Sequence, residues 1–231
     1  MATRRSYGSY DDGCAAAHAL DLIGERWALI IIRELLLGPK RFGDLQRDVI
    51  GIGPTALTQR LHELETSGVL TRRELPEPAR VAVYDLTDWG RELEAVNAAL
   101  SLWAVSSPGL PVEAGMSPDT LVLAMRAHAR PGPVGGPDLV VGLRLTDSRI
   151  ESAPPVQYVG TITESGTVMA RGLPPQGPAA AVEASTGAWK ACIFAAVDPA
   201  EAPGVSVSGD ADAVRSLVAA TRFEPHPASG A

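Results

Sequence analysis

Polar side chains of the kinds that bind nucleic acids are concentrated between Phe42 and Tyr84. Apolar residues at three- and four-residue spacing predict a helix over 42–49 and another over 54–66, joined by a turn at 51–54. Such a pair can supply one helix that crosses the DNA backbone and one that enters the major groove. The alternative reading is a solvated helix with scattered basic residues, and the ordered arrangement as a whole favours DNA binding.

Each candidate contact has a chemical reason. Thr55 and Thr58 can reach phosphates or base edges, and the donors of Gln59 and Arg60 suit adenine and guanine. Basic residues also stand before the first of these helices and around the hairpin that follows the second, where they would meet phosphates. The predicted DNA contacts are Lys40, Arg41, Thr55, Thr58, Gln59, Arg60, Arg72, Arg73 and Arg80.

Flanking elements complete a recognisable order. Helices are predicted over 14–24 and 27–37, and alternating residues predict strands over 69–75 and 81–86. Thr87 can cap a last helix whose apolar residues recur at three- and four-residue spacing. The order helix, helix, helix, helix, hairpin, helix is that of a winged helix-turn-helix with one helix added at each end.

Four segments closely resemble the HxlR family of bacterial transcription regulators: ALDLIGERW (19–27), RELLLGPKRF (33–42), LTQRLHELE (57–65) and YDLTDWGR (84–91). The likeness covers about 13–105, and it departs from the family at Gly53, where a serine N-cap is frequent. It implies a dimeric winged-helix DNA-binding protein whose terminal helices form the dimer contact. The residues predicted for that contact are Leu93, Val96, Leu100 and Trp103.

Cys14 lies at the predicted start of the first helix, a position that lowers the pKa of a thiol. Some proteins of the resembled family use a cysteine here to sense electrophiles or oxidants. The alternative is a small residue buried at the dimer contact.

The rest of the chain predicts a second domain. A change in composition marks a linker at 106–116, and 117–224 is predicted as one antiparallel sheet with helices on one side, including a helix over 180–196. Residues 1–12 and 225–231 are predicted to be flexible tails. The fold class is therefore α+β, with an N-terminal winged helix-turn-helix followed by a sheet-and-helix domain.

The end of this domain, residues 204–217, weakly resembles sterol carrier proteins: a strand, a Gly-Asp turn and a closing helix. That resemblance implies an apolar tunnel for a hydrophobic small ligand. The candidate lining residues are Met125, Val141, Leu143, Tyr158, Met169, Trp189 and Phe194, for which the alternative is ordinary core packing.

Composition excludes several classes of protein. The formal charge of −7 argues against a general nucleic-acid coat, and no apolar stretch approaches the roughly 20 residues of a membrane span. Two distant cysteines and the lack of a signal peptide predict a cytoplasmic protein. The four histidines show no metal-ligand spacing, and no phosphate loop or nucleophile elbow is present. We predict no enzyme activity, no catalytic residue, no metal and no cofactor.

These observations predict a dimeric transcription regulator that reads a pseudo-palindromic operator in double-stranded DNA. A repressor is favoured over an activator, and a hydrophobic effector is expected to control it. Two alternatives remain open at this point. One is a lipid or small-molecule carrier that uses the winged helix only for dimerisation, and the other is a sensor of oxidants or electrophiles based on Cys14.

Overall fold

The computed structural model describes residues 9–76, 80–133 and 138–223. The chain divides into two compact units, residues 1–97 and 98–231. The predicted tail at 225–231 lies outside the described residues, as does the predicted tail up to residue 8. The division falls earlier than the predicted linker at 106–116, inside a helix that buries none of its residues within the chain.

The first unit has the predicted element order. Its elements are α1 (Ala15–Ile23), α2 (Ala28–Leu35), α3 (Phe42–Asp48), α4 (Pro54–Thr66), β1 (Leu70–Glu74), β2 (Ala82–Leu86), α5 (Asp88–Arg91) and α6 (Leu93–Ala104), the last of which crosses the division. The predicted last helix is thus two helices that break at Glu92. Ile31, Leu45 and Leu61 are among the fully buried side chains that join α2, α3 and α4 in one core. Helical periodicity therefore identified the elements and their inward faces.

A tight junction fixes the hairpin against α5. The Thr87 hydroxyl accepts a hydrogen bond from the Gly90 N–H at 3.0 Å and caps the helix, and it donates to the carbonyl oxygen of Gly68 at 2.8 Å. A Cβ atom at Gly90 would lie 2.0 Å from the Val69 carbonyl oxygen. Only glycine allows this approach, so the wing strands and α5 form one rigid corner.

The second unit is a five-stranded sheet with helices. Its elements are α7 (Pro118–Ala127), β3 (Leu139–Thr146), β4 (Val156–Thr163), β5 (Gly166–Arg171), β6 (Ala180–Ser185), α8 (Thr186–Ala195), β7 (Val205–Gly209) and α9 (Ala211–Thr221). The strand order is β5-β4-β3-β6-β7. The strands β3 and β6 run parallel, and the other neighbours are antiparallel.

Two predictions for this unit are wrong. Residues 180–185 form a strand, because β3 and β7 hydrogen-bond to them on both sides, and only 186–195 of the predicted helix is helical. The sheet is mixed and not antiparallel, because the chain crosses from β5 to the far side of β3. The placement of the helices against the face that carries Val141, Leu143 and Leu145 agrees with the prediction.

The candidate ligand-lining residues are mostly core residues. Six of the seven are buried, and Phe194 is half-buried beside Phe223, with ring centroids 4.0 Å apart. The Tyr158 hydroxyl donates to the Asp119 carboxylate at 2.6 Å, and the Trp189 indole N–H donates to the Met125 sulfur at 3.4 Å. The Tyr158 hydroxyl and the Trp189 indole N–H thus both have partners inside the protein. A role of these residues in ligand binding stays a prediction.

Candidate nucleic-acid interface

The helix pair α3 and α4 forms the centre of the interface. Pro54 begins α4 with a fixed φ that suits the first helical turn, and Gly53 is its N-cap without a side-chain hydrogen bond. Leu57, Leu61 and Leu64 bury one side of α4 against the core. Packing on that side holds the opposite side of α4 toward solvent.

The exposed side of α4 carries three of the predicted contacts. Thr55, Thr58 and Gln59 are all exposed. The Thr58 hydroxyl donates to the Pro54 carbonyl oxygen at 2.9 Å, so its free lone pairs can accept from a base or a bridging water. The Gln59 amide donates to the Glu63 carboxylate at 3.0 Å in a surface contact that solvent or DNA can replace. All three are accessible to a ligand, Gln59 also lines the groove beside α1, and their contacts with DNA stay a prediction.

Arg60 points elsewhere. Its side chain is 15% exposed and forms ion pairs with Glu63 and, at 3.6 Å, with Glu25. It lines a groove of about 680 Å³ between α1 and α4, together with Asp21, Glu25 and Glu63. In this structure both carboxylates hold the guanidinium away from Thr55 and Thr58, so the role of Arg60 in reading bases stays a prediction without support from its position.

The structure also corrects the prediction that the Lys40 side chain contacts DNA. Its side chain is 6% exposed, and its ammonium group donates to the Glu34 carboxylate at 2.8 Å and to the Asp48 carboxylate at 2.9 Å. Its main chain pairs with Tyr84 through two hydrogen bonds of 3.0 and 2.8 Å. Lys40 therefore joins α2, α3 and the wing from inside, and its side chain cannot contact DNA as predicted.

The wing presents its arginines outward. Strands β1 and β2 pair antiparallel, and Arg72, Arg73 and Arg80 are exposed. Asp85 is almost buried and accepts hydrogen bonds from two guanidinium groups, Arg73 at 2.7 Å and Arg91 at 2.6 Å. One buried carboxylate thus holds two partly exposed arginines at the base of the wing. Held in this way, both guanidinium groups can still face a phosphate.

Two arginines extend the predicted set. Arg91 follows the wing in the motif YDLTDWGR, so its place in a segment already singled out was the available signal. Arg47 projects from α3 and pairs with Asp44 at 3.0 Å and with Asp48 at 2.9 Å. Arg41, predicted from its position before α3, is exposed at the N-cap of that helix. These three arginines are exposed and add positive charge to the candidate interface.

The helix α6 has an apolar surface that the described chain leaves open. Val96 and Leu100 are exposed, Trp103 is 79% exposed, and Leu93 is half-buried. Monomeric proteins seldom expose large apolar groups along one helix without a partner. The residues predicted for the dimer contact are therefore accessible for one.

The two cysteines lie in opposite environments. Cys14 is exposed at the N-cap of α1, where the nearby backbone N–H groups of Ala17 and Ala16 lower the pKa of its thiol. Burial, assisted by the charge of Asp198, raises the pKa of Cys192 to about 11. At neutral pH a larger fraction of Cys14 than of Cys192 is therefore ionised, and Cys14 is also the exposed thiol.

Neither a metal cluster nor a membrane span is evident in the described ranges. In residues 9–76, 80–133 and 138–223, no three His, Cys, Asp or Glu side chains are grouped to hold a metal ion. In the same part of the chain, no helix is long and apolar enough to cross a bilayer.

Comparison with known proteins finds relatives of the first unit. The family model described as HxlR-like helix-turn-helix matches residues 22–108. The chain is 38% identical over 86 residues to the HTH-type transcriptional regulator YodB of Bacillus subtilis, a match that covers 37% of this chain and 77% of YodB. It is 40% identical over 88 residues to an uncharacterised HTH-type transcriptional regulator of Synechocystis, covering 38% of this chain and 64% of that protein.

A solved structure of reduced YodB matches with 35% identity and a TM-score of 0.38, covering 42% of this chain and 95% of that one. The family match ends at residue 108, so the likeness of the second unit to sterol carrier proteins stays a prediction. The elements, the exposed polar side of α4 and the extent of the YodB match agree: this chain belongs to the HxlR-like helix-turn-helix family of transcription regulators.

Proposed function

We propose that this protein is a non-catalytic repressor that binds a pseudo-palindromic operator as a homodimer. The observation that carries the proposal is the joint exposure of the polar side of α4 and of the wing arginines on a rigid corner. The helix α4 supplies short polar groups for base edges, and Arg41, Arg72 and Arg80 supply phosphate contacts. With a net charge of −7, binding depends on this local basic surface.

The homodimer rests on the accessible apolar residues of α6. In an isologous contact the same surface of both protomers is buried, so Val96, Leu100 and Trp103 of each protomer would be covered. Two α4 helices on a two-fold axis would then read half-sites about 34–36 Å apart, one turn of the duplex, or a multiple of that.

A titration with labelled DNA from immediately upstream of the protein's own gene tests the proposal, with scrambled DNA as competitor at one salt concentration. We expect a specificity ratio above roughly 10³. Equal and weak binding to both would favour the alternative of a small-molecule carrier whose winged helix serves only for dimerisation, if a genome-wide pull-down also recovers no preferred site.

Arg72→Ala should weaken binding to specific and scrambled DNA equally and reduce the slope of log K against log salt by about one, because it removes one phosphate contact. Arg215→Ala is the matched control: it removes the same charge from an exposed ion pair with Asp198 in the second unit. An unchanged slope for Arg72→Ala would place the wing away from the DNA.

Control by a hydrophobic ligand in the second unit is part of the proposal. A ligand alters DNA affinity only if it prefers one dimer geometry over another. The predicted lining residues are packed together, so binding would require them to separate. Native mass spectrometry of the purified protein tests for a retained ligand of this kind.

A second candidate function is thiol sensing, favoured by the exposure and lowered pKa of Cys14. The Cys14 thiolate would add to a ring carbon of a quinone, forming a carbon–sulfur bond as the C=C π bond breaks. The displaced electron pair moves onto the carbonyl oxygen, which takes up a proton from water.

Iodoacetamide at pH 7 should alkylate Cys14 quickly and leave Cys192 unmodified in the folded protein, as peptide mass spectrometry would measure. The rate at Cys14 should rise with pH and reach half of its maximum below pH 9.0, the ordinary pKa of the thiol, because this pKa is lowered. Cys14→Ser should keep DNA binding and lose any response to a quinone. A variant that still responds removes this candidate.

A further inference from the structure

The middle of the exposed side of α4 is occupied by His62. On a helix, the surface neighbours of a residue lie three and four positions away. For His62 these are Thr58 and Gln59 on one side and Glu65 and Thr66 on the other, and all four are exposed. The side chain itself is exposed and makes no hydrogen bond within the described residues.

Arg60 lies on a different side of the same helix, next to buried residues. Its neighbours at three and four positions are Ala56, Leu57, Glu63 and Leu64, of which the two leucines are fully buried. The side of α4 that faces away from the core is therefore centred on His62. A duplex that contacts Thr55 and Thr58 would meet His62 next, whereas Arg60 lines the groove beside α1.

The spacing along the helix fits the spacing of bases. From Thr55 to His62 the helix rises about 10 Å at 1.5 Å per residue. Stacked base pairs repeat about every 3.4 Å, so these residues span about three base pairs. Thr55, Thr58 and His62 can thus address neighbouring pairs in one half-site.

We propose that His62 is a specificity-determining residue and that its ring N–H donates a hydrogen bond to N7 of a purine in the major groove. A neutral imidazole always carries one N–H donor, and N7 is the acceptor that both adenine and guanine present there. Thr58 cannot replace this donor, because its hydroxyl hydrogen is given to the Pro54 carbonyl oxygen. This inference rests on the proposed DNA-binding function and assigns its sequence preference to a different residue from those the sequence suggested.

The test is selection from a randomised duplex library with the full-length protein, His62→Ala and Arg60→Ala. The wild type should select a two-fold motif, and His62→Ala should lose the purine preference at one position of each half-site. Arg60→Ala should select the wild-type motif. Because His62 is exposed, His62→Ala should keep the wild-type melting temperature and non-specific DNA affinity.

A second step identifies the atom. In the motif selected by the wild type, the purine at that position is replaced by its 7-deaza analogue, which lacks the N7 acceptor. The analogue should weaken the wild type about fivefold, the size of one net hydrogen bond, and leave the affinity of His62→Ala unchanged.

Three results would overturn the inference. Selection of an unchanged motif by His62→Ala would show that the residue does not read bases. An equal loss from the 7-deaza analogue in both proteins would assign N7 to another donor. If the wild type itself selects no motif, the proposed function fails, and the inference fails with it for that separate reason.

Discussion

Lys40→Met is expected to lower the free energy of unfolding of the first unit by about 3–5 kcal/mol, the usual effect of removing one partner from a buried ion pair. Lys40 lies between Glu34 of α2 and Asp48 of α3, and its ammonium group is within 2.9 Å of both carboxylates. Methionine fills similar space but leaves these carboxylates facing each other without the central cation. The arrangement of α3 beside α4 should loosen, and sequence-specific DNA affinity should fall with it.

Hydrogen exchange of peptides from α2 and α3 across a urea series measures this effect separately from the second unit. Arg72→Met is the control, since it removes a basic residue from the exposed wing and should change stability by no more than about 0.5 kcal/mol. Adding Glu34→Gln and Asp48→Asn to Lys40→Met should restore much of the loss. A loss that persists in the triple variant would mean that Lys40 acts through packing and not through charge.

The outcome for Lys40 and Arg60 shows where sequence reasoning stops. Helical periodicity predicts that α4 buries its leucines, and this was confirmed. Whether a basic residue beside such a helix faces DNA depends on carboxylates elsewhere in the chain. Glu25 and Glu34 lie 35 and 6 positions from their partners, and nothing local in the sequence indicates that they meet. Element types follow from local pattern, while the direction of long charged side chains follows from tertiary contacts.

The second unit shows the same limit for strands. The segment 180–185 has the sequence AAVEAS, and alanine and glutamate are helix formers. It is a strand because β3 and β7 supply hydrogen bonds on both edges, a context that outweighs intrinsic preference. The strands β3, β4, β5 and β7 were predictable from their own alternation. The parallel pairing of β3 with β6 was not, because it joins segments about 40 residues apart.

Trp189→Ala is expected to lower the free energy of unfolding of the second unit by about 3–5 kcal/mol, the usual cost of truncating a buried tryptophan. Trp189 is fully buried in α8, and its indole N–H donates to the Met125 sulfur. Alanine would leave a cavity and remove the hydrogen-bond donor of this sulfur. Specific DNA affinity should stay within about twofold of the wild type, because the proposed DNA contacts all lie in the first unit.

Leu173→Ala is the matched control, because Leu173 is a large apolar residue of the same unit that is 75% exposed. It should change stability by no more than about 0.5 kcal/mol. Hydrogen exchange of β3 and β6 peptides reports stability, and DNA titration reports function. If Trp189→Ala abolishes DNA binding while the first unit stays folded, the second unit is required for the DNA-binding dimer. Retained binding would instead show that the first unit binds DNA without a stable second unit.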